Sequence, residues 1–197
     1  MVEFGNYNFS FDKDESYAIL KNIFYQANKS FIKNDISLIK DDVAERTLCG
    51  ALKSHLEHEL KSMHISGYYV DVEYNRNNGQ IKTIFDDDWS VVKVQCDLII
   101  HSRGEIVAQD NLIAIEMKKD YRDEEDCETD RKRLRALTKS TYNNDIWSFD
   151  GETFPEHVCR YILGIFYFID ERKHLIKLEY YRNGKIESKK VIRLLKQ

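Results

Sequence analysis

Proline occurs once and glycine eight times in 197 residues. Collagen-like and low-complexity readings are thereby excluded, and there is little material for flexible linkers. The four cysteines, Cys49, Cys96, Cys127 and Cys159, are widely spaced with no C-x-x-C pair. That spacing argues against a disulfide framework and against a cysteine zinc site, and for free thiols in a reducing compartment. The longest apolar-rich run, residues 161–169, is half the length of a membrane-spanning helix. The opening MVEFGNYNFSFDKDE has neither a basic start nor an apolar stretch, so no signal peptide is read and a cytoplasmic protein is expected. Basic residues are not in excess: 30 Lys and Arg against 34 Asp and Glu give a net charge of −4. A chain that held nucleic acid by bulk charge alone would be basic. This one needs a local basic patch, a bound cation or another ligand. No G-x-S-x-G, P-loop or G-x-G-x-x-G occurs, so serine hydrolase, P-loop and dinucleotide-binding readings have no local support.

What is present is a globular composition, 42% hydrophobic and 32% charged, in a length that suits one domain. Asp14 or Ser16 can cap a first helix to about Ser30, with Ile19, Leu20, Ile23 and Phe24 on its apolar face. A stronger helix runs from Ile36 or Asp41 to Met63, with Leu48, Leu52, Leu56 and Leu60 in a four-residue step, and Gly67 stops it. Glu45 lies on the buried edge of that helix, so its carboxylate needs a partner. The period then changes to two. Strands are expected at 68–74, 90–101, 112–119 and 160–170, the last apolar on both faces and therefore central. A helix over 123–140 starts acidic and ends basic, as the helix dipole favours. Two strands at 174–181 and 185–195 meet at Asn183-Gly184, a strong hairpin signal. The order predicts an α/β (α+β) domain, a central mixed β-sheet flanked by helices. Residues 1–197 form one unit, 1–40 a helical extension and 41–197 the core.

The chemistry concentrates on two strands. In SVVKVQCDLIIH, Val92, Val94, Cys96, Leu98 and Ile100 share one parity, and Asp97 falls on the other. In LIAIEMKK, Glu116 and Lys118 share a side, with Ala114 leaving room beside them. If the strands pair as an antiparallel hairpin, Asp97 comes close to Glu116. Two such carboxylates repel unless a cation lies between them or one holds a proton. Their hard oxygens suit Mg²⁺ or Mn²⁺ over zinc.

Asp97, 18 intervening residues, then Glu116-Met117-Lys118 resembles the D…(D/E)-x-K core of the PD-(D/E)XK, or restriction-endonuclease-like, nuclease superfamily. The stretch Ala44-Glu45-Arg46-Thr47-Leu48 resembles the helix that precedes the core hairpin there and often supplies a third carboxylate. The likeness extends over roughly residues 41–142 and on to the strand at 160–170. It departs where Cys96 replaces the proline of the motif. The resemblance implies a Mg²⁺ site, in which Mn²⁺ can substitute, made by Asp97, Glu116 and the Met117 carbonyl and completed or tuned by Glu45. It implies that Lys118 orients or helps deprotonate the attacking water and offsets phosphate charge. It further implies a nuclease that hydrolyses DNA phosphodiester bonds, in restriction, phage defence or repair. Arg131, Lys132, Arg133, Arg135 and Lys139 would then contact phosphates. A homodimer or a partner protein would supply targeting, and no membrane is involved.

The plainer readings stand beside these. The carboxylates and lysine can be a solvated sheet face with weak ion pairs. Glu45 can be a salt-bridge partner of Arg46 or a lysine. His55, His58 and His64 read as surface or interface histidines, since no H-E-x-x-H is present. His101 reads as a surface residue or a neighbour of the site, and Asp86-Asp87-Asp88 as a loop. The alternative to an enzyme is a nuclease-fold binding or assembly subunit without catalysis.

Overall fold

The computed structural model describes residues 7–73, 96–140 and 160–194, with the backbone of four short strands between 76 and 93. Asp86-Asp87-Asp88 and Cys159 lie outside the described residues. Helix α1 (Asp14–Asn34), α2 (Ile36–Lys40) and α3 (Glu45–Ser62) lead into β1 (Tyr69–Val72). Two small ribbons follow, β2 (Arg76–Asn77) with β3 (Gln80–Ile81) and β4 (Thr83–Phe85) with β5 (Val91–Lys93). Then come β6 (Leu98–His101), β7 (Asn111–Lys119), α4 (Glu124–Leu137), β8 (Leu163–Asp170), β9 (Leu175–Arg182) and β10 (Lys185–Arg193). The main sheet has six strands in the order β1-β6-β7-β8-β9-β10. Only β7 and β8 run parallel, joined by the α4 crossover, so the sheet is mixed and the fold is α/β.

The helices cover both faces. Helices α1 and α3 lie on one, where Leu20, Phe24, Phe31, Leu48, Leu52 and Leu56 pack with Ile113, Ile115, Met117, Ile165 and Tyr167. Helix α4 lies on the other, over Ile99, Ala114, Phe166 and Tyr181. Strand β8 is thus covered on both sides, as its run of apolar residues requires. Among the described residues, no helix is long and apolar enough to cross a membrane.

Several expectations are refined. Helix α1 runs past Ser30 to Asn34, and neither Asp14 nor Ser16 is its N-cap; Lys13 occupies that position, and the Ser16 hydroxyl accepts from the Ser10 amide at 3.0 Å. The helix belongs to the principal apolar layer through Leu20, Ile23, Phe24 and Ala27 and is not an appendage. The strand expected at 90–101 is interrupted at Cys96 and Asp97, ahead of β6. Its single parity breaks with it: Cys96 joins Ile99 on the α4 side, while Leu98 and Ile100 face α1 and α3. The Asn183-Gly184 hairpin turns with both residues at positive φ, 50° and 72°, the geometry of a two-residue I′ turn.

Candidate metal and catalytic centre

The open edge of β7 builds the site. Strand β6 pairs antiparallel with β7 from Leu98 opposite Ile115, which carries Asp97 opposite Glu116. At that point the Asp97 side chain takes over from the backbone ladder: its Oδ2 accepts the Met117 N–H at 2.8 Å. Two residues further, the Lys119 N–H donates to Glu45 Oε1 at 3.1 Å. A strand residue directs its N–H and its carbonyl to the same side. The Met117 carbonyl therefore leaves the strand between the two amides held by Asp97 and Glu45. Glu45 reaches it because α3 begins at that residue, which places the side chain in the first turn, where the helix dipole favours a carboxylate. The Cys49 thiol, one turn along, is pushed up by burial and then by the charges of Asp97, Glu116, Glu45 and Glu73.

Glu116 projects from β7 toward α4 and is 1% exposed. Its Oε1 accepts from Arg133 Nη1 at 2.7 Å and from the Cys96 thiol at 3.3 Å. Burial pushes the Asp97 carboxyl above its ordinary range, against the Met117 amide and the Lys118 charge. Burial, reinforced by the charges of Asp97 and Asp130, pushes Glu116 up to about 8, although Arg133 works the other way. Being opposite in register, Asp97 and Glu116 put their side chains on one face of the β6–β7 pair. Oδ2 of Asp97 and Oε1 of Glu116 are held by protein donors, and two carboxyls so placed are relieved by a proton or a cation.

Lys118, on the same side as Glu116, places Nζ 2.8 Å from Asp130 Oδ2. Burial works against its charge, but Asp130, Asp97 and Glu45 outweigh burial and hold the ammonium above its ordinary range. Lys118 is a fixed cation. It suits orienting water and offsetting phosphate charge and does not suit taking a proton from water.

The structure brings Asp97, Glu116, Met117, Lys118 and Glu45 to one strand end. The donor set is all oxygen and fits a hard divalent cation that keeps part of its water shell, Mg²⁺ or Mn²⁺. Asp97 and Glu116 offer one oxygen each, and the Met117 carbonyl a third. Glu45 is otherwise engaged, paired with Arg122 at 3.1 Å. Among the described residues, no group of three His, Cys, Asp or Glu side chains stands in an arrangement that could hold a metal ion.

The basic run on α4 is partly internal. Arg133 turns inward to Glu116 and Asp130. Arg131 pairs with Glu124 at 2.5 Å and Glu179 at 3.0 Å, and Arg135 with Glu128 at 2.6 Å. Lys132 is exposed, and Lys139 is half-buried beside the Gly184 turn. The expected phosphate contacts would require three of the five to exchange partners. His101 is not at this site. It is buried at the far end of β6, with Nε2 3.0 Å from Asp71, which Arg103 grips through two bonds. His55 pairs with Asp35 at 2.6 Å, and His58 and His64 are exposed.

Asp130 escaped the sequence reading, as did the inward role of Arg133. A signal for Asp130 existed. Cys127, Asp130, Leu134 and Leu137 are spaced three, four and three apart, the buried stripe of an amphipathic helix. An aspartate in that stripe needs a buried cationic partner. Lys119 was also missed: 1% exposed, it pairs with Asp42 and, at 2.6 Å, with Glu171, and so ties the α2–α3 loop to the β8–β9 turn.

Comparison with known protein families, curated proteins and solved structures finds none that matches this chain.

Proposed function

We propose that the chain is a Mg²⁺-dependent nuclease that hydrolyses phosphodiester bonds in DNA, with a restriction-endonuclease-like core. The observation that carries the reading is the placing of Asp97, half-buried, opposite Glu116, buried, beside an open strand edge and a fixed Lys118 cation. A half-buried and a buried acid so placed are costly for folding alone, and a divalent cation relieves them. Asp97, Glu116 and the Met117 carbonyl would hold that cation. When bound, it supplies Lewis acidity to a phosphoryl oxygen and makes its water more acidic. Asp97, anchored through the Met117 amide, and Glu116, anchored through Arg133, hold their free oxygens in place before substrate arrives. Lys118 offsets the charge that builds on the phosphate and orients the attacking water. Glu45 keeps the strand end in register through the Lys119 amide. Lys132, the exposed member of the basic run, supplies a phosphate contact at the rim.

The test is a panel of linear, circular, single- and double-stranded DNA, and RNA, incubated with and without Mg²⁺ or Mn²⁺. Cleavage that needs the cation and disappears in Asp97→Ala, Glu116→Ala and Lys118→Ala, with the fold retained, is the expected result. Equal cleavage by all four proteins rejects it.

A second reading, a nuclease-fold binding or assembly subunit without catalysis, is favoured by one observation. Glu45 and Glu116 are already neutralised by Arg122 and Arg133, and no three-ligand group stands ready among the described residues. It predicts no thermal stabilisation by millimolar Mn²⁺.

A further inference from the structure

We propose that Arg133 is the positioning residue of the cation site, holding Glu116 so that its second oxygen faces Asp97 and tying that carboxylate to Lys118 through Asp130. The inference rests on Asp97 and Glu116 being the cation ligands.

The geometry is a closed circuit between one strand and one helix. Arg133 Nη1 donates to Glu116 Oε1 at 2.7 Å and to Asp130 Oδ1 at 3.0 Å. The other Asp130 oxygen takes Lys118 Nζ at 2.8 Å. Glu116 and Lys118 are two residues apart on β7 and share a face; Asp130 and Arg133 are three apart on α4 and share a face. Two rigid elements therefore fix both charged ends of the site at once. Asp130 is 4% exposed and Glu116 1%, so neither can find water as a substitute partner. The Arg133 side chain closes the circuit from the rim, 22% exposed.

The arginine and a cation do not compete for one oxygen. Arg133 and the Cys96 thiol occupy Oε1 of Glu116, which leaves Oε2, on the face of β7 that Asp97 shares, as the oxygen a cation takes. Carboxylate ligands are oriented by the hydrogen bonds to their remaining oxygens, and loss of such a partner weakens metal binding about 10–100-fold. On charge alone the opposite follows, because removing a guanidinium from a cation site should tighten it. The sign of the change thus separates a positioning residue from a mere surrogate cation.

The experiment is calorimetric titration of the full chain with Mn²⁺, for wild type, Arg133→Gln, Arg133→Lys and the exposed charge control Lys173→Gln, with folding checked by circular dichroism. The expected result is a loss in Mn²⁺ affinity of about 10–100-fold for Arg133→Gln, partial recovery for Arg133→Lys, and no change for Lys173→Gln. Affinity of Arg133→Gln equal to or tighter than wild type overturns the inference while leaving the cation site intact. Should Arg133→Gln fail to fold, Arg133→Lys carries the test: its ammonium keeps the charge but ends one bond short of the place of Nη1, so wild-type affinity overturns the inference as well, and a loss supports it. Absence of Mn²⁺ binding by the wild type overturns both the inference and the cation-site reading on which it rests.

Discussion

Asp97→Asn separates the chemical purpose of the Asp97–Glu116 pair from its structural cost. Asparagine keeps an oxygen for the Met117 amide and offers an uncharged N–H₂ on the face it shares with Glu116, so the anchor survives while the repulsion does not. Two carboxylates about 4 Å apart repel by about 4 kcal/mol at an effective dielectric of 20. The wild type avoids this by keeping a proton, which costs about 1.4 kcal/mol per pH unit above the ordinary pKa. The sign follows from linkage. Glu116 is raised from 4.5 in the free side chain to about 8 in the fold. Between those values the folded chain binds a proton that the unfolded chain has lost, so stability falls as pH rises through the window. Removing one carboxylate should recover about 1–3 kcal/mol at pH 8, or about 3–10 °C of melting temperature at this chain length, and almost nothing at about pH 5. Excess Mn²⁺ at about 100 times its Kd should stabilise the wild type by about 2.7 kcal/mol and leave the variant unmoved. Scanning calorimetry across this pH range, with and without Mn²⁺, measures all three differences. A variant that melts below wild type by the same amount at pH 5 and pH 8 would refute the pairing argument.

Lys119→Met should destabilise the fold by about 3 kcal/mol, because Glu171 loses its partner and the α2–α3 loop its tether; urea unfolding measures it, and a loss below about 0.5 kcal/mol contradicts the buried-tether reading. Gly164→Ala should cost about 1–3 kcal/mol by overpacking, since an added Cβ would lie 2.9 Å from Thr138 Cγ2 and 3.1 Å from Tyr181 Cβ. An unchanged denaturation midpoint would show that α4 yields freely there.

Local pattern carried the architecture because hydrophobic periodicity records which face of each element is buried, and β8 shows this most directly. Its residues are apolar on both parities, so β8 had to be central, and α1, α3 and α4 then had to lie on both faces of the sheet. Asn183-Gly184 likewise fixed the β9–β10 hairpin from two residues. The alternation of Glu116 and Lys118 put both on one side of β7 before any partner was known. The pattern failed at Cys96, where a period of two assumes an unbroken strand. Asp97 gives its side chain to the Met117 amide, the ladder stops, and the chain changes face.

The ion pairs were beyond the sequence for a different reason. Charged side chains are common, and nothing local says which of Arg131, Arg133 and Arg135 turns inward. That choice depends on the rotation of α4 over β7, set by Cys127, Leu134 and Leu137 packing against the sheet. The amino-acid order by itself determined the main elements, the central place of β8 and the shared side of Glu116 and Lys118. Only the tertiary structure decided that Lys118 is held as a cation by Asp130 and that Arg133 serves Glu116, because those contacts join residues whose distance is fixed by packing between layers and not by spacing along the chain.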